Sequence, residues 1–221
     1  MAEGLSALGW SIPDEALAPL KWLSDELLRW NSRVNLTAVT DPGEVIEKHL
    51  LDSLAILSAL KGLHSLIDLG AGAGFPGLPV ALALPALQVQ LVDSVGKKVG
   101  FMKHVIAGLN LAPRVKAVQA TARGAPGAEG IQRTESVVCR ALMELAPWLA
   151  LARPYLVPGG RAIAMVSRLS GREAELAKQA GFEFARSSRF RLPWSGAERA
   201  VLEFELRAPT FHVEQPVSPV R

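Results

Sequence analysis

The sequence predicts an α/β protein: a doubly wound, mostly parallel sheet with an N-terminal helical extension. Three observations predict it. From Ser65 onward, short apolar runs alternate with stretches of helical periodicity, the pattern of a parallel sheet covered by helices. A glycine-rich loop, Asp68 to Gly77, follows the first of those runs and opens a helix. That is the ligand crevice of an open α/β sheet. Before Ser65 the periodicity is helical throughout.

The elements follow in order. Ser11 can cap a first turn holding Pro13 and Asp14, and Leu17, Leu20, Leu23, Leu27 and Trp30 recur at helical spacing. Asn31 to Asn35 breaks that pattern. Asp41-Pro42-Gly43-Glu44 is a second start signal, with Asp as cap and Pro at the first helical position. Val45, Ile46, Leu50, Leu54 and Leu57 carry this helix to Gly62. The strands expected next are Ser65 to Leu69, Val89 to Asp93, Val115 to Gln119, Thr134 to Cys139 and Arg161 to Val166. Helices are expected at Pro76 to Leu84, Lys97 to Leu109, through Trp148 to Tyr155, and at Glu173 to Ala180. Pro158-Gly159-Gly160 reads as a turn. Phe182 to Arg191 and Ala200 to Leu206 read as a hairpin adding an antiparallel edge strand. The implied organisation is a helical extension (1–62), a sheet domain (63–207) and a loose tail (208–221) carrying Pro209, Pro216 and Pro219.

Composition narrows the function classes. The 221 residues carry 24 basic and 21 acidic side chains, a net charge of +3. A chain of this length buries roughly 70% of its unfolded surface and needs no disulfide or metal to fold. The one cysteine, Cys139, cannot pair within the chain or build a cysteine-based metal site. Apolar residues reach 49%, yet the longest candidate span, Leu78 to Leu87, is broken by Pro79 and Pro85. No secretory leader pattern is visible beside Glu3. The expectation is a cytoplasmic monomer without metal or membrane partner, with a nucleic-acid partner permitted.

Two cofactors compete for the glycine loop. Gly72, Gly74 and Gly77 satisfy the dinucleotide pattern, which points to NAD. Asp68, Gly70, Gly72 and Gly74 form an acid-x-Gly-x-Gly-x-Gly frame. That frame suits S-adenosylmethionine, which carries an ammonium and no pyrophosphate. Asp93, ending the second strand, can accept ribose hydroxyls in either case. Asp68 and Pro76 favour the second reading, because Pro76 removes a helix-start N–H that a pyrophosphate would use.

Several segments resemble the RsmG (GidB) family of bacterial ribosomal RNA methyltransferases. They are Asn31 to Thr37, His49-Leu50-Leu51-Asp52-Ser53-Leu54, Asp68 to Pro79 with its Gly74-Phe75-Pro76-Gly77-Leu78-Pro79, Leu91 to Lys98, and Arg140-Ala141. The resemblance implies a Rossmann-like class I S-adenosylmethionine-dependent methyltransferase fold with a seven-stranded sheet. It implies methyl transfer to N7 of a guanine in 16S ribosomal RNA, within the small ribosomal subunit. By position, Gly70 and Phe75 would line the cofactor, Gly72 and Gly74 shape the loop, and Asp93 and Ser94 meet the ribose. Ala122 and Arg123 would sit beside the adenine, and Arg140 would face both cofactor and target base. Asn35, His49 and Asp52 become candidate substrate contacts. The chain departs from the family at Arg123, where a glutamate is usual, so a backbone contact is expected there. A lysine usual near the end of the fifth strand is missing from Ala164 to Ser167.

The chemistry fits this inventory. Guanine N7 has a lone pair and no proton, so attack on a sulfonium methyl needs no general base. Orientation and exclusion of water can lower the barrier by up to ~7–11 kcal/mol. No Pro-Pro pair of an amino-methyltransferase motif is present. Cys139 follows Val137 and Val138 in an apolar strand and reads as packing rather than as a nucleophile. Arg140 could hydrogen-bond guanine O6 or a phosphate while N7 stays open; its bland role is a strand-end ion pair. His49 and Asp52, spaced i, i+3, could bond each other. Between Ser94 and Ala128 lie Lys97, Lys98, Lys103, Arg114, Lys116 and Arg123 and no acid. The set could hold phosphates, with Lys97 and Lys98 foremost, and Arg186, Arg189 and Arg191 form a second basic strand. The rival functions are an NAD-dependent oxidoreductase and a non-catalytic RNA-binding protein.

Overall fold

The computed structural model describes residues 1–140 and 143–207. Ala141 and the tail expected over 208–221 lie outside the described residues. The helical part comprises α1 (Ala2–Leu8), α2 (Leu17–Val34), α3 (Pro42–Val45), a π-helical turn (Ile46–Leu51) and α4 (Asp52–Leu54). The sheet unit follows as β1 (Ser65–Leu69), α5 (Gly77–Ala83), β2 (Gln88–Asp93), α6 (Gly96–Gly108), β3 (Val115–Gln119) and β4 (Thr134–Arg140). It continues with α7 (Leu145–Ala152), β5 (Leu156–Val166), α8 (Glu173–Gln179), β6 (Phe182–Arg191) and β7 (Glu198–Leu206). Strand order is β3-β2-β1-β4-β5-β7-β6. The first five strands pair in parallel, and β7 runs antiparallel to both neighbours.

Strand alternation sorts the core to the two sheet faces. Leu66, Leu91, Val138 and Ile163 face one side, where Leu20, Leu23 and Leu27 of α2 pack with Phe101 of α6. Their chain neighbours Ile67, Val92, Val137 and Ala162 face the other, against Trp148 and Leu149 of α7 and Phe182. The helical extension thus completes one face of the sheet. Among the described residues, no helix is long and apolar enough to cross a membrane.

Four expectations change. The helix begun at Leu17 runs through Asn31 to Val34 and ends on Asn35, whose φ of 48 places it in the left-handed region. The helix expected from Asp41 to Gly62 is instead α3, the π turn, α4 and a 3-10 turn at Leu57–Leu60. Pro158 to Gly160 lies inside β5 as a bulge: Thr134 faces Leu156 while Ser136 faces Arg161. The Gly159 φ of 76 absorbs the extra residues. The terminal hairpin does not end on β7. That strand inserts between β5 and β6 and leaves β6 at the edge. Ala200, Val201, Leu202 and Phe204 are buried, as an interior strand requires. The polar, arginine-bearing β6 suits an edge.

Candidate active site

Three cavities meet at the carboxyl ends of the parallel strands. The first, about 490 Å³, is lined by Gly70, Asp93, Ser94, Lys98, Ala122 and Arg140, among others. The second, about 240 Å³, lies between the glycine loop and Thr37, His49, Phe75 and Arg140. The third, about 430 Å³, is bounded by Lys48, His49, Asp52, Trp148, Arg199 and again Arg140. Among the described residues, Arg140 alone lines all three. Gly70 joins the first to the second, and Met143 the first to the third.

Hydrogen bonds fix the glycine loop from within. Gly70 and Ala71 both donate to Val92 O, at 2.9 and 3.0 Å. Gly72 donates to Asp93 Oδ2 at 2.9 Å, and Val95 to Asp93 Oδ1 at 2.8 Å. Gly74 and Phe75 donate to Ala71 O, and Leu78 to Gly74 O. Gly77 donates to Asp68 Oδ2 at 2.8 Å. With Pro76 lacking a donor, Ala73 is the one residue from Gly70 to Leu78 whose N–H has no acceptor among the described residues. A pyrophosphate would need a row of free donors. The loop offers instead a sterically open wall, and Asp93 keeps lone pairs for hydroxyl donors. These residues fit a nucleoside with an amino-acid moiety better than a dinucleotide.

Asp68 stands beneath the loop. It is fully buried, lines none of the three cavities, and its Oδ1 has no hydrogen-bond partner. Burial raises its pKa to about 7, against the opposing pull of the Gly77 N–H and the Arg140 charge. Gly74 also belongs to the loop's underside. Its φ of 92 and the side chain of Leu78, which would lie 2.3 Å from an added Cβ, demand glycine.

Arg140 organises the opposite wall. Nη1 donates to Lys48 O at 2.8 Å, and Nη2 lies 3.3 Å from His49 Nδ1. Its guanidinium is 3.6 Å from Asp52 Oδ2 and 5.9 Å from the centroid of the Phe75 ring. His49 stacks on Phe75, with centroids 4.9 Å apart and planes at 24°. Its Nε2 lies 2.9 Å from Thr37 Oγ1. Burial first, and the Arg140 charge second, lower the His49 pKa to about 4. The ring is therefore neutral near pH 7. With Nδ1 accepting from Arg140, the network assigns the proton to Nε2, donated to Thr37. Asn31 holds Thr37 in place: its Oδ1 accepts from Leu36 and Thr37 N–H, and its Nδ2 donates to Thr37 O. Asp52 does not bond His49 as its spacing suggested. It sits between Arg140 and Arg199, whose Nε is 3.5 Å from Asp52 Oδ1. Burial raises its pKa despite those two cations.

The remaining expected residues separate. Arg123 does not line the first cavity, and its N–H is taken by Glu129 Oε1 and Tyr155 Oη. Asn35 is an exposed helix-ending residue that lines none of these three cavities. Lys97 is exposed beside Lys98 without lining the crevice. The acid-free run is not one patch: Arg114 and Lys116 border the entry end of β3, opposite the site. Cys139 is buried and walls the third cavity. Thr37, Lys48, Met143, Trp148 and Arg199 were not picked out as site residues. Thr37 lies in the family-like segment Asn31 to Thr37, but Arg199 has no local signal in the sequence. The pairing of Val166 with Ala200 brings it there.

The comparisons give the family and the fold. Residues 17–194 match the family described as GidB, rRNA small subunit methyltransferase G. A ribosomal RNA small subunit methyltransferase G from Myxococcus xanthus is 52% identical over 207 residues, covering 92% of this chain and 94% of its own length. One from an Anaeromyxobacter species is 45% identical over 209 residues, covering 94% and 96%. Among solved structures, a 1,6-didemethyltoxoflavin-N1-methyltransferase from Burkholderia thailandensis with bound S-adenosylhomocysteine superposes with a TM-score of 0.60 at 20% identity. It covers 89% of this chain and 91% of its own, a likeness of fold. With its loop, its inserted antiparallel strand and these relatives, the chain belongs to the rRNA small subunit methyltransferase G (GidB) family.

Proposed function

We propose that this chain is an S-adenosylmethionine-dependent methyltransferase acting on N7 of a guanine in 16S ribosomal RNA, with the work divided among its residues as follows. The cofactor's adenosine occupies the first cavity, with Asp93 accepting ribose hydroxyls, Ser94 beside them and Ala122 along the adenine. Gly70 and Phe75 carry the chain of the ligand past the loop toward Arg140. When bound, S-adenosylmethionine supplies an electrophilic sulfonium methyl. The target base enters the third cavity, where Arg140 donates to O6 or a neighbouring phosphate and leaves N7 unobstructed. His49, neutral and stacked on Phe75, holds that guanidinium by accepting from it, and Asp52 anchors it from the far side. Asp68 is a positioning acid that ties α5 to β1 under the loop.

The observation that carries this reading is Arg140 at the junction of the three cavities, with the two candidate bases of the third cavity, among the described residues, both turned toward arginine. His49 is committed to Thr37 and Arg140, and Asp52 to two arginines. Nucleophiles that carry a proton to be removed call for a positioned base; guanine N7 does not. A ribosomal RNA substrate implies action in the cytoplasm, where small ribosomal subunits are. The test is incubation with methyl-labelled cofactor and either small subunits or naked RNA, then mapping of the labelled nucleotide. Label at N7 of one guanine is expected. Label on another atom, or none on either substrate, overturns the reading.

A further inference from the structure

A fourth cavity, about 740 Å³, opens beside the third and shares Ser167 and Arg199 with it. Arg168, Arg189, Arg191 and Arg199 line it, against the single acid Glu198. Two of those arginines are committed: Arg191 pairs with Glu198 at 2.6 Å, and Arg199 faces Asp52 at 3.5 Å. Arg168 and Arg189 are exposed, and neither has an ion-pair partner among the described residues. Arg186, by contrast, points elsewhere and pairs with the buried Glu203 at 2.6 Å.

Three residues beyond Arg191, Trp194 stands 46% exposed on the turn between β6 and β7. The turn is fixed. The Trp194 and Ser195 N–H groups donate to Glu47 Oε1 at 2.6 and 2.8 Å, and Glu47 lies two residues before His49. Free guanidiniums in a groove, with an exposed indole on the fixed turn that follows its Arg191, match the needs of single-stranded nucleic acid: charge for phosphates and a platform for a base. Lys97 and Lys98 lie instead beside the first cavity, away from the base pocket.

We infer that a single-stranded segment of the substrate RNA, adjoining the target guanine, runs along this groove. Its phosphates rest against Arg168 and Arg189, and a neighbouring base stacks on Trp194. The inference rests on the RNA reading above and specifies the side from which the strand arrives.

The test is steady-state methylation of small subunits by the full chain, wild type against Arg168→Ala/Arg189→Ala. KM for the subunit should rise about tenfold, with kcat within about twofold and cofactor affinity unchanged. The slope of log(kcat/KM) against log salt should become shallower by roughly 1.4, the value for two single-strand phosphate contacts. Arg168→Lys/Arg189→Lys should recover most of KM, since phosphate attraction needs charge more than fork geometry. Trp194→Ala should raise KM at least fivefold, the scale of one lost base stack. Unchanged KM and salt slope in the double alanine variant, with wild type still methylating RNA, overturn the track and leave the RNA reading standing. Unchanged KM in Trp194→Ala overturns the stacking contact. No methylation of RNA by wild type overturns both the track and the reading beneath it.

Discussion

Arg140 holds a backbone carbonyl, a neutral imidazole, a carboxylate and an aromatic face at once. A lysine could satisfy one of these and alanine none. Arg140→Ala should therefore slow single-turnover methyl transfer by about 10²-fold, the usual loss for a preorganised donor at a reacting centre. Affinity for S-adenosylmethionine, read by calorimetry, should change only a few-fold, because the Asp93 side of the crevice is untouched. Equal losses in both would assign Arg140 to cofactor binding alone. Asp68 gives a pH prediction. Its folded pKa of about 7 lies above the ordinary 3.8. The contribution to stability is then full below about pH 4 and is lost as pH rises through about 7. The shift corresponds to at most about 4 kcal/mol. Asp68→Asn keeps an acceptor for Gly77 N–H and carries no charge. Its melting temperature should rise relative to wild type between pH 5 and 8, and parallel curves for the two proteins would contradict this.

At the scale of elements, the site depends on how closely α5 lies over β1 and β2. A Cβ on Gly77 would fall 2.2 Å from Leu91 Cδ2 and 3.0 Å from Asp68 Oδ2. Leu91 and Asp68 are both fully buried and have nowhere to move. Gly77→Ala should cost about 1–3 kcal/mol in denaturant unfolding, an overpacking penalty rather than a conformational one. It should also weaken cofactor binding by lifting the loop. The π turn works in the same manner on the other wall. It aims His49, and α4 directly after it aims Asp52, into different contacts of one arginine, at a kind of turn that recurs at functional sites. Tyr155 pins the segment that follows β3. Its hydroxyl accepts from Arg123 and Gly124 N–H and donates to Glu129, which holds Ala122 at the crevice. This explains why the chain's one tyrosine is structural, and why Arg123 has no contact to offer through its N–H.

At the scale of the molecule, the helical extension is part of the core. Leu20, Leu23, Leu27, Leu50, Leu51, Leu54 and Ile56 are each at most 1% exposed. Burying such side chains contributes roughly 1.5–3 kcal/mol apiece, so together they are on the scale of the whole 5–15 kcal/mol net stability typical of a domain. A chain beginning at residue 63 should show no cooperative thermal transition; a sharp one would mean the sheet unit stands alone. Most of the fold was legible in the sequence because it rests on local signals. Strand-helix alternation, the Asp41 cap and the glycine loop need only neighbouring residues, and most boundaries from Ser65 to Gln179 fall within a residue or two of their expected positions. The bulge in β5 and the interior place of β7 were not legible, since strand pairing is decided between segments far apart in the chain. The site divides in the same way. Gly70 and Asp93 follow from strand ends and Ala122 from the family resemblance, and the sequence by itself pointed to a crevice for a nucleoside cofactor there. Only the tertiary structure decided what surrounds it. Asp68 passed from ligand contact to buried support, because the α5 backbone covers it. The basic run from Lys97 to Arg123 was split across both ends of the sheet, because a strand carries its two ends to opposite edges. Arg199 reached the site, and Arg168 shares a groove with Arg189, because β7 pairs antiparallel with both β5 and β6 and so joins residues with no relation in sequence. Charge and hydrogen bonding act through space, and only the fold sets those distances.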